Sequence, residues 1–150
     1  MQQMRLLPGR RPLRSLHLDQ LEAGSHGPGR RSGPREGGLD EISTFGKTAI
    51  SEIKDGAISS YEFHHSAVGI PSGALTEIAG GDAELNARII REILDGKKNS
   101  RRNITVLNAG AAIYISGKTL TFLDGIKLAE ESIDSQKAKK KLQELVDSTN

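Results

Sequence analysis

Hydrophobic and polar positions are ordered in only part of the chain. In "KTAISEIKDGAISSYEF" two short β-prone runs, 48–53 and 58–63, flank Asp55-Gly56, a dipeptide that favours a tight hairpin turn because glycine tolerates positive φ. The pattern predicts an antiparallel hairpin. "IPSGALTEIAGG" reads as a loop from its Pro and Gly content. Asp82 then caps a predicted helix to about Leu94, with Ala83, Ala87, Ile90 and Leu94 on one stripe and Gly96 as its stop. The run 103–117, "NITVLNAGAAIYISG", is apolar nearly all round, so period alone cannot separate a buried helix from a buried strand; its length favours a helix. Thr121 with Asp124 resembles a capping box opening a helix towards Ile133. Ser135 is the expected cap of a last helix, with Ala138, Leu142, Leu145 and Val146 as its buried stripe. A hairpin followed by about four helices is the expected order.

No such order is visible in residues 1–36. They are Arg, Gly, Pro, Ser and Leu without a clear period, and "AGSHGPGRRSGPREGG" offers too little apolar surface to offset its ordering entropy, so the head is expected to be disordered. The expected division is an unmatched head, 1–36, and one α/β portion, 37–150, within a length that allows a single domain. The net charge of +2 conceals an asymmetry. The head holds seven Arg, no Lys and three acids, whereas the rest carries 14 bases against 16 acids. A basic arm of this kind could contact phosphates, but it lacks interleaved aromatics for stacking, and no nucleic-acid partner is expected. A transit peptide is the other reading of an Arg-rich start, opposed by Pro8 and Pro12. The plainer reading is codons translated in a wrong frame or from a misplaced start, since the body uses ten Lys and only four Arg.

Aromatic residues are 3% of the chain and Trp is absent, so the core should be aliphatic. The lack of cysteine excludes disulfides, thiolate metal sites and a cysteine nucleophile, and fits a reducing, cytoplasmic setting. No apolar run approaches the ~20 residues that span a bilayer, so no membrane partner is expected.

Three local features could carry chemistry. Asp40 and Glu41 are adjacent carboxylates following Gly37-Gly38-Leu39. By themselves they read first as a solvated turn or helix start, and second as ligands for a hard cation such as Mg²⁺. "AGGDAE", 79–84, could cradle phosphate at a helix N-terminus, yet reads better as a tight turn with Asp82 as cap. His64 and His65 would point to opposite faces of a strand, which favours surface or edge histidines over a metal site. Lys137 and 139–141 read as a solvated helix face.

The blocks "GGLDEIS", "DGAISSY", "GGDAELNARIIREILDG", "NITVLNAGAAIYISGK" and "LAEESIDSQKA", in this order and spacing, closely resemble the C-terminal third of the anthranilate phosphoribosyltransferase family over about 37–146. The resemblance implies an α/β fold of the phosphoribosyltransferase class related to nucleoside phosphorylases. It also implies transfer of a 5-phosphoribosyl group from phosphoribosyl pyrophosphate to anthranilate, in tryptophan biosynthesis, by a homodimeric enzyme using Mg²⁺. Carried over residue by residue, it makes Asp40 and Glu41 the Mg²⁺ ligands beside the donor's pyrophosphate.

The chain also departs from that pattern. The family's Gly-Thr-Gly-Gly-Asp donor loop and Lys-rich segment are not in these 150 residues, and "SHGPGRRSGPREG" stands where the family has an apolar central strand. A truncated or frameshifted product, inactive by itself, is therefore expected. The alternative is a non-catalytic fragment that docks with a separate N-terminal piece or persists as an interaction remnant. A nucleoside phosphorylase-like substrate is a third reading, since fold alone does not fix function.

Overall fold

The computed structural model describes residues 14–20 and 41–149. In chain order these form strands β1 (Arg14–Gln20), β2 (Lys47–Lys54) and β3 (Ala57–His64), a 3-10 turn (His65–Val68), and helices α1 (Leu75–Ile78), α2 (Ala83–Leu94), α3 (Ser100–Ile115), α4 (Phe122–Asp134) and α5 (Lys137–Thr149). The sheet is antiparallel with order β1-β2-β3.

The hairpin forms as its turn residues dictate. Asp55 and Gly56 have φ of 53° and 81°, and Lys54 pairs with Ala57 across a two-residue loop. Along β2, Thr48, Ile50 and Glu52 turn inward and their neighbours outward, the period of two that a half-covered sheet requires.

β1 corrects the expectation of disorder over part of the head. Arg14–Gln20 pairs with β2 from Arg14 opposite Lys54 to Gln20 opposite Thr48. Its alternation of Leu16 and Leu18 with Ser15, His17 and Asp19 suits a strand, and Leu16 packs against the core. The disorder expected for 1–13 and 21–36 lies outside the described residues.

The core is aliphatic, as composition requires, with Ile42, Ile50, Val106, Leu107, Ile126 and Ile133 at its centre and Phe63 at its margin. Most of it lies between α3 and α4, where Val106, Leu107, Gly110, Ala111 and Tyr114 meet Gly125, Ile126, Ala129 and Ile133. Backbones touch at this crossing. A Cβ on Gly125 would lie 2.3 Å from the Gly110 carbonyl oxygen, and one on Gly110 would lie 2.6 Å from Ile126 Cγ1 and 2.8 Å from its Cα.

Helix ends follow their caps. Asp82 Oδ1 accepts the Leu85 N–H at 2.8 Å, and Thr121 Oγ1 accepts that of Asp124 at 3.1 Å. Helix α3 starts three residues before 103 because Asn99 accepts the Arg102 N–H at 2.9 Å. Arg102, 4% exposed, also pairs with Asp134 at 2.9 Å.

Three expectations about helices need correction. Ser135 ends α4 instead of capping α5; its N–H bonds to the Glu131 carbonyl, and the chain then turns through Gln136 at φ 63°. On α2 the core face is Ile93 with half-buried Leu85 and Ile89, and Ile90 is 50% exposed. No residue of α5 is buried, and Leu145 and Val146 are exposed. Part of each expected stripe instead faces the other across an open groove of about 370 Å³, lined by Ala87, Ile90, Leu94, Leu142 and Val146, while Ala138 packs against the core as expected. Helix α2 has a second apolar edge in Leu85, Ile89 and Ile93, and periodicity alone does not rank the two.

Candidate metal-binding loop

Of the two predicted metal ligands, Asp40 lies outside the described residues and Glu41 is exposed at the start of a loop that runs into β2. The next three residues are almost wholly buried: Ile42 at 0%, Ser43 at 1% and Thr44 at 0%. Burying a backbone requires partners for its polar groups, and each comes from a different element.

Asn108 of α3 supplies two. The Ile42 N–H donates to Asn108 Oδ1 at 2.9 Å, and Asn108 Nδ2 donates to the Ile42 carbonyl at 3.0 Å. The amide orientation is fixed by this pairing, because only the oxygen can accept from an N–H. Nδ2 also donates to the Ile104 carbonyl at 2.9 Å, tying the side chain to its own helix. From β2, Thr48 Oγ1 accepts the Ser43 N–H at 3.2 Å. Ahead of α1, the Gly73 N–H donates to the Thr44 carbonyl at 2.9 Å. Gly73 has little room for a side chain, since a Cβ there would lie 3.3 Å from Thr44 Oγ1 and 3.2 Å from Ser100 Cβ.

Glu77 braces the same region. Its carboxylate accepts from Ser100 Oγ at 2.7 Å and from the Ala74 N–H at 3.0 Å, and these bonds, that from Ser100 foremost, hold its carboxyl below the usual range.

Glu41 is thus an exposed carboxylate leaving a backbone pinned from three sides. Among the described residues no group of three or more His, Cys, Asp or Glu side chains could hold a metal. Mg²⁺ does not need one; it is commonly held by one or two carboxylates and fills its remaining positions with water and phosphate oxygens.

A second polar cluster was not visible in the sequence. Tyr114 donates to Glu52 Oε1 at 2.5 Å and Tyr61 to Oε2 at 3.3 Å. Arg14 lies 4.6 Å from the Tyr114 ring centre and donates to the Tyr114 and Thr119 carbonyls at 3.3 and 3.0 Å. Burial, reinforced by the Glu52 charge, pushes Tyr61 up to about 12 and raises Tyr114 as well. This cluster ties the sheet to α3. Its only sequence signal is Glu52 at an inward position of an alternating strand.

The histidine pair differs from expectation. His65 is 2% exposed, and the two rings lie 4.2 Å apart between centres. The strand ends at His64 and the 3-10 turn begins at His65, so strand alternation no longer separates them. His65 Nδ1 bonds to the Ile70 carbonyl at 2.7 Å, which makes it the protonated nitrogen, since a carbonyl can only accept.

The Gly80-Gly81 turn is closed by its own helix. Asn86 Oδ1 accepts the Gly81 N–H at 3.0 Å, and Asn86 Nδ2 donates to the Gly81 carbonyl at 2.9 Å. With Asp82 capping α2, this agrees with a structural turn. Lys137, Lys139 and Lys141 pair with Glu131, Asp95 and Glu144 on an exposed face.

Comparison with known proteins gives these features a context. Anthranilate phosphoribosyltransferase of Methanococcoides burtonii is 47% identical over 113 residues, 75% of this chain and 32% of that protein. The chain therefore spans about a third of the length of the curated relatives it matches. Among solved structures, anthranilate phosphoribosyltransferase from Thermus thermophilus superimposes with a TM-score of 0.68 at 27% identity, covering 87% of this chain and 34% of that one. The Saccharomyces cerevisiae enzyme, solved in complex with phosphoribosyl pyrophosphate and Mg, gives 0.67 at 31% identity, covering 74% and 32%. The family described as glycosyl transferase family, a/b domain, matches residues 34–139. That match takes in the Asp40-Glu41 pair, all three pinned loop residues and α3, and by it the chain belongs to the glycosyl transferase family, through its a/b domain.

Proposed function

We propose that this chain supplies the metal-binding part of an anthranilate phosphoribosyltransferase, an Mg²⁺-dependent enzyme that transfers a 5-phosphoribosyl group from phosphoribosyl pyrophosphate to anthranilate in cytoplasmic tryptophan biosynthesis. The observation that carries this reading is the 47% identity over 113 residues to such an enzyme. The yeast relative solved with phosphoribosyl pyrophosphate and Mg adds support. Among the described residues no helix is long and apolar enough to cross a membrane.

Asp40 and Glu41 would hold the metal. Their hard carboxylate oxygens suit Mg²⁺, and Glu41 is accessible. When bound, the ion supplies charge neutralisation for the departing pyrophosphate. The protein's task is positional, with Glu41 leading into the pinned backbone of residues 42–44, and it needs no protein nucleophile.

The test uses loss of anthranilate fluorescence in the presence of phosphoribosyl pyrophosphate and Mg²⁺. By itself the chain is expected to give no turnover. Co-expression with the N-terminal two-thirds of the Methanococcoides burtonii enzyme is expected to give Mg²⁺-dependent turnover, abolished by Asp40→Asn with Glu41→Gln. Restored turnover that ignores both substitutions would refute the metal assignment. Failure of any complementation would favour a second reading, a non-catalytic interaction fragment, which the open groove between α2 and α5 supports.

A further inference from the structure

We infer that Asn108 is the positioning residue for the metal site: by clamping both backbone polar groups of Ile42, it sets where the neighbouring Glu41 carboxylate stands. The inference rests on the reading of Glu41 as a metal ligand and adds a residue to it.

The geometry carries the argument. Glu41 is one peptide unit from Ile42, whose N–H and carbonyl are both held by one side-chain amide at 2.9 and 3.0 Å. The third bond of that amide, to the Ile104 carbonyl, makes the clamp part of α3. Thr48 and Gly73 hold residues 43 and 44, farther from the ligand. Without Asn108, two buried backbone groups lose their partner, and Ile42 would have to shift to recover water. Glu41 would move with it. The bond network is local to one side chain, so α3 itself, capped by Asn99 and packed on α4, should persist. Outer residues that orient metal ligands typically contribute 10–100-fold to affinity.

The experiment follows backbone amide signals of the intact chain during titration with Mn²⁺ alone, whose unpaired electrons broaden nearby resonances. The unmodified chain is expected to show broadening centred on Glu41 and Ile42, lost in Glu41→Gln. Asn108→Ala is expected to keep its helical circular dichroism while needing roughly tenfold more Mn²⁺ for the same broadening. Unchanged Mn²⁺ dependence in Asn108→Ala would overturn the inference and leave the metal reading standing; no broadening at Glu41 in the unmodified chain would overturn both. Should Asn108→Ala fail to fold, Asn108→Asp, which keeps the acceptor for the Ile42 N–H and loses the donor, is read in the same way. A separate check needs no substitution: the Ile42 amide should exchange with solvent more slowly than an open loop amide, and exchange at the open rate would also overturn the clamp.

Discussion

Replacing Gly125 by Ala tests whether α3 and α4 are held together by backbone contact. A Cβ at 125 would lie 2.3 Å from the Gly110 carbonyl oxygen, against the 3.0 Å below which such contacts are essentially never found, so the helices would have to part locally by at least about 0.7 Å. The obstacle is main chain, and no rotamer change relieves it. Overpacking of this kind costs about 1–3 kcal/mol, and an immovable neighbour places the cost near the upper end. Opposing it, Ala is a better helix residue than Gly by about 0.8–1 kcal/mol. The net expectation is a destabilisation of about 2 kcal/mol, because separating the helices also loosens Leu107, Ala111, Ile126 and Ala129. In urea unfolding followed by helical circular dichroism, this lowers the midpoint by roughly 1 M for a slope of about 2 kcal/mol per M. Gly46→Ala is the control, since nothing lies within 4 Å of a Cβ there, and should change stability by less than about 0.5 kcal/mol. A Gly125→Ala midpoint equal to or above that of the parent would refute the close approach.

Two further outcomes follow from the site descriptions. Tyr61 and Tyr114 are the only tyrosines and both resist ionisation when folded, Tyr61 up to about 12; phenolate absorbance at a pH of about 11 should be lower in the native chain than in urea, where tyrosine returns to about 10. The native state keeps protons that the unfolded state releases, so the contribution of Tyr61 to stability is complete below a pH of about 10 and is lost as pH rises towards 12, with Tyr114 acting in the same direction; a flat urea midpoint across that window would contradict the Glu52 cluster. Asp82→Ala removes the 2.8 Å cap on Leu85 and should cost about 1 kcal/mol; an unchanged midpoint would mean that the cap adds nothing to the fold.

The legible parts of the sequence were those in which local chemistry decides the structure. Asp55-Gly56, Asp82 and Thr121 act on residues within three or four positions of themselves, and each formed the predicted turn or cap. The illegible parts depend on what lies across the fold. Leu16 and Leu18 gain meaning only when β2 stands beside them. The choice of Ile93 over Ile90 as the core residue of α2 depends on where the rest of the core sits. His65 was misread because the strand ended one residue before it. At the candidate loop the adjacent carboxylates Asp40 and Glu41 are conspicuous in the sequence, but the Asn108 clamp is not, because its partner is 66 residues away and its amide pairs with backbone that has no side-chain signature.

The crossing of α3 and α4 also limits how these positions can vary through descent. Two side chains in contact can exchange size, one growing as the other shrinks, and so leave a paired signal among related sequences. At Gly125 the obstacle is a main-chain oxygen, which no substitution at 110 removes. At Gly110 a smaller residue in place of Ile126 would clear Cγ1 and still leave its Cα and N at 2.8 Å. Neither glycine can therefore be released by a change in the other, and this contact would leave two silent columns in place of a correlated pair.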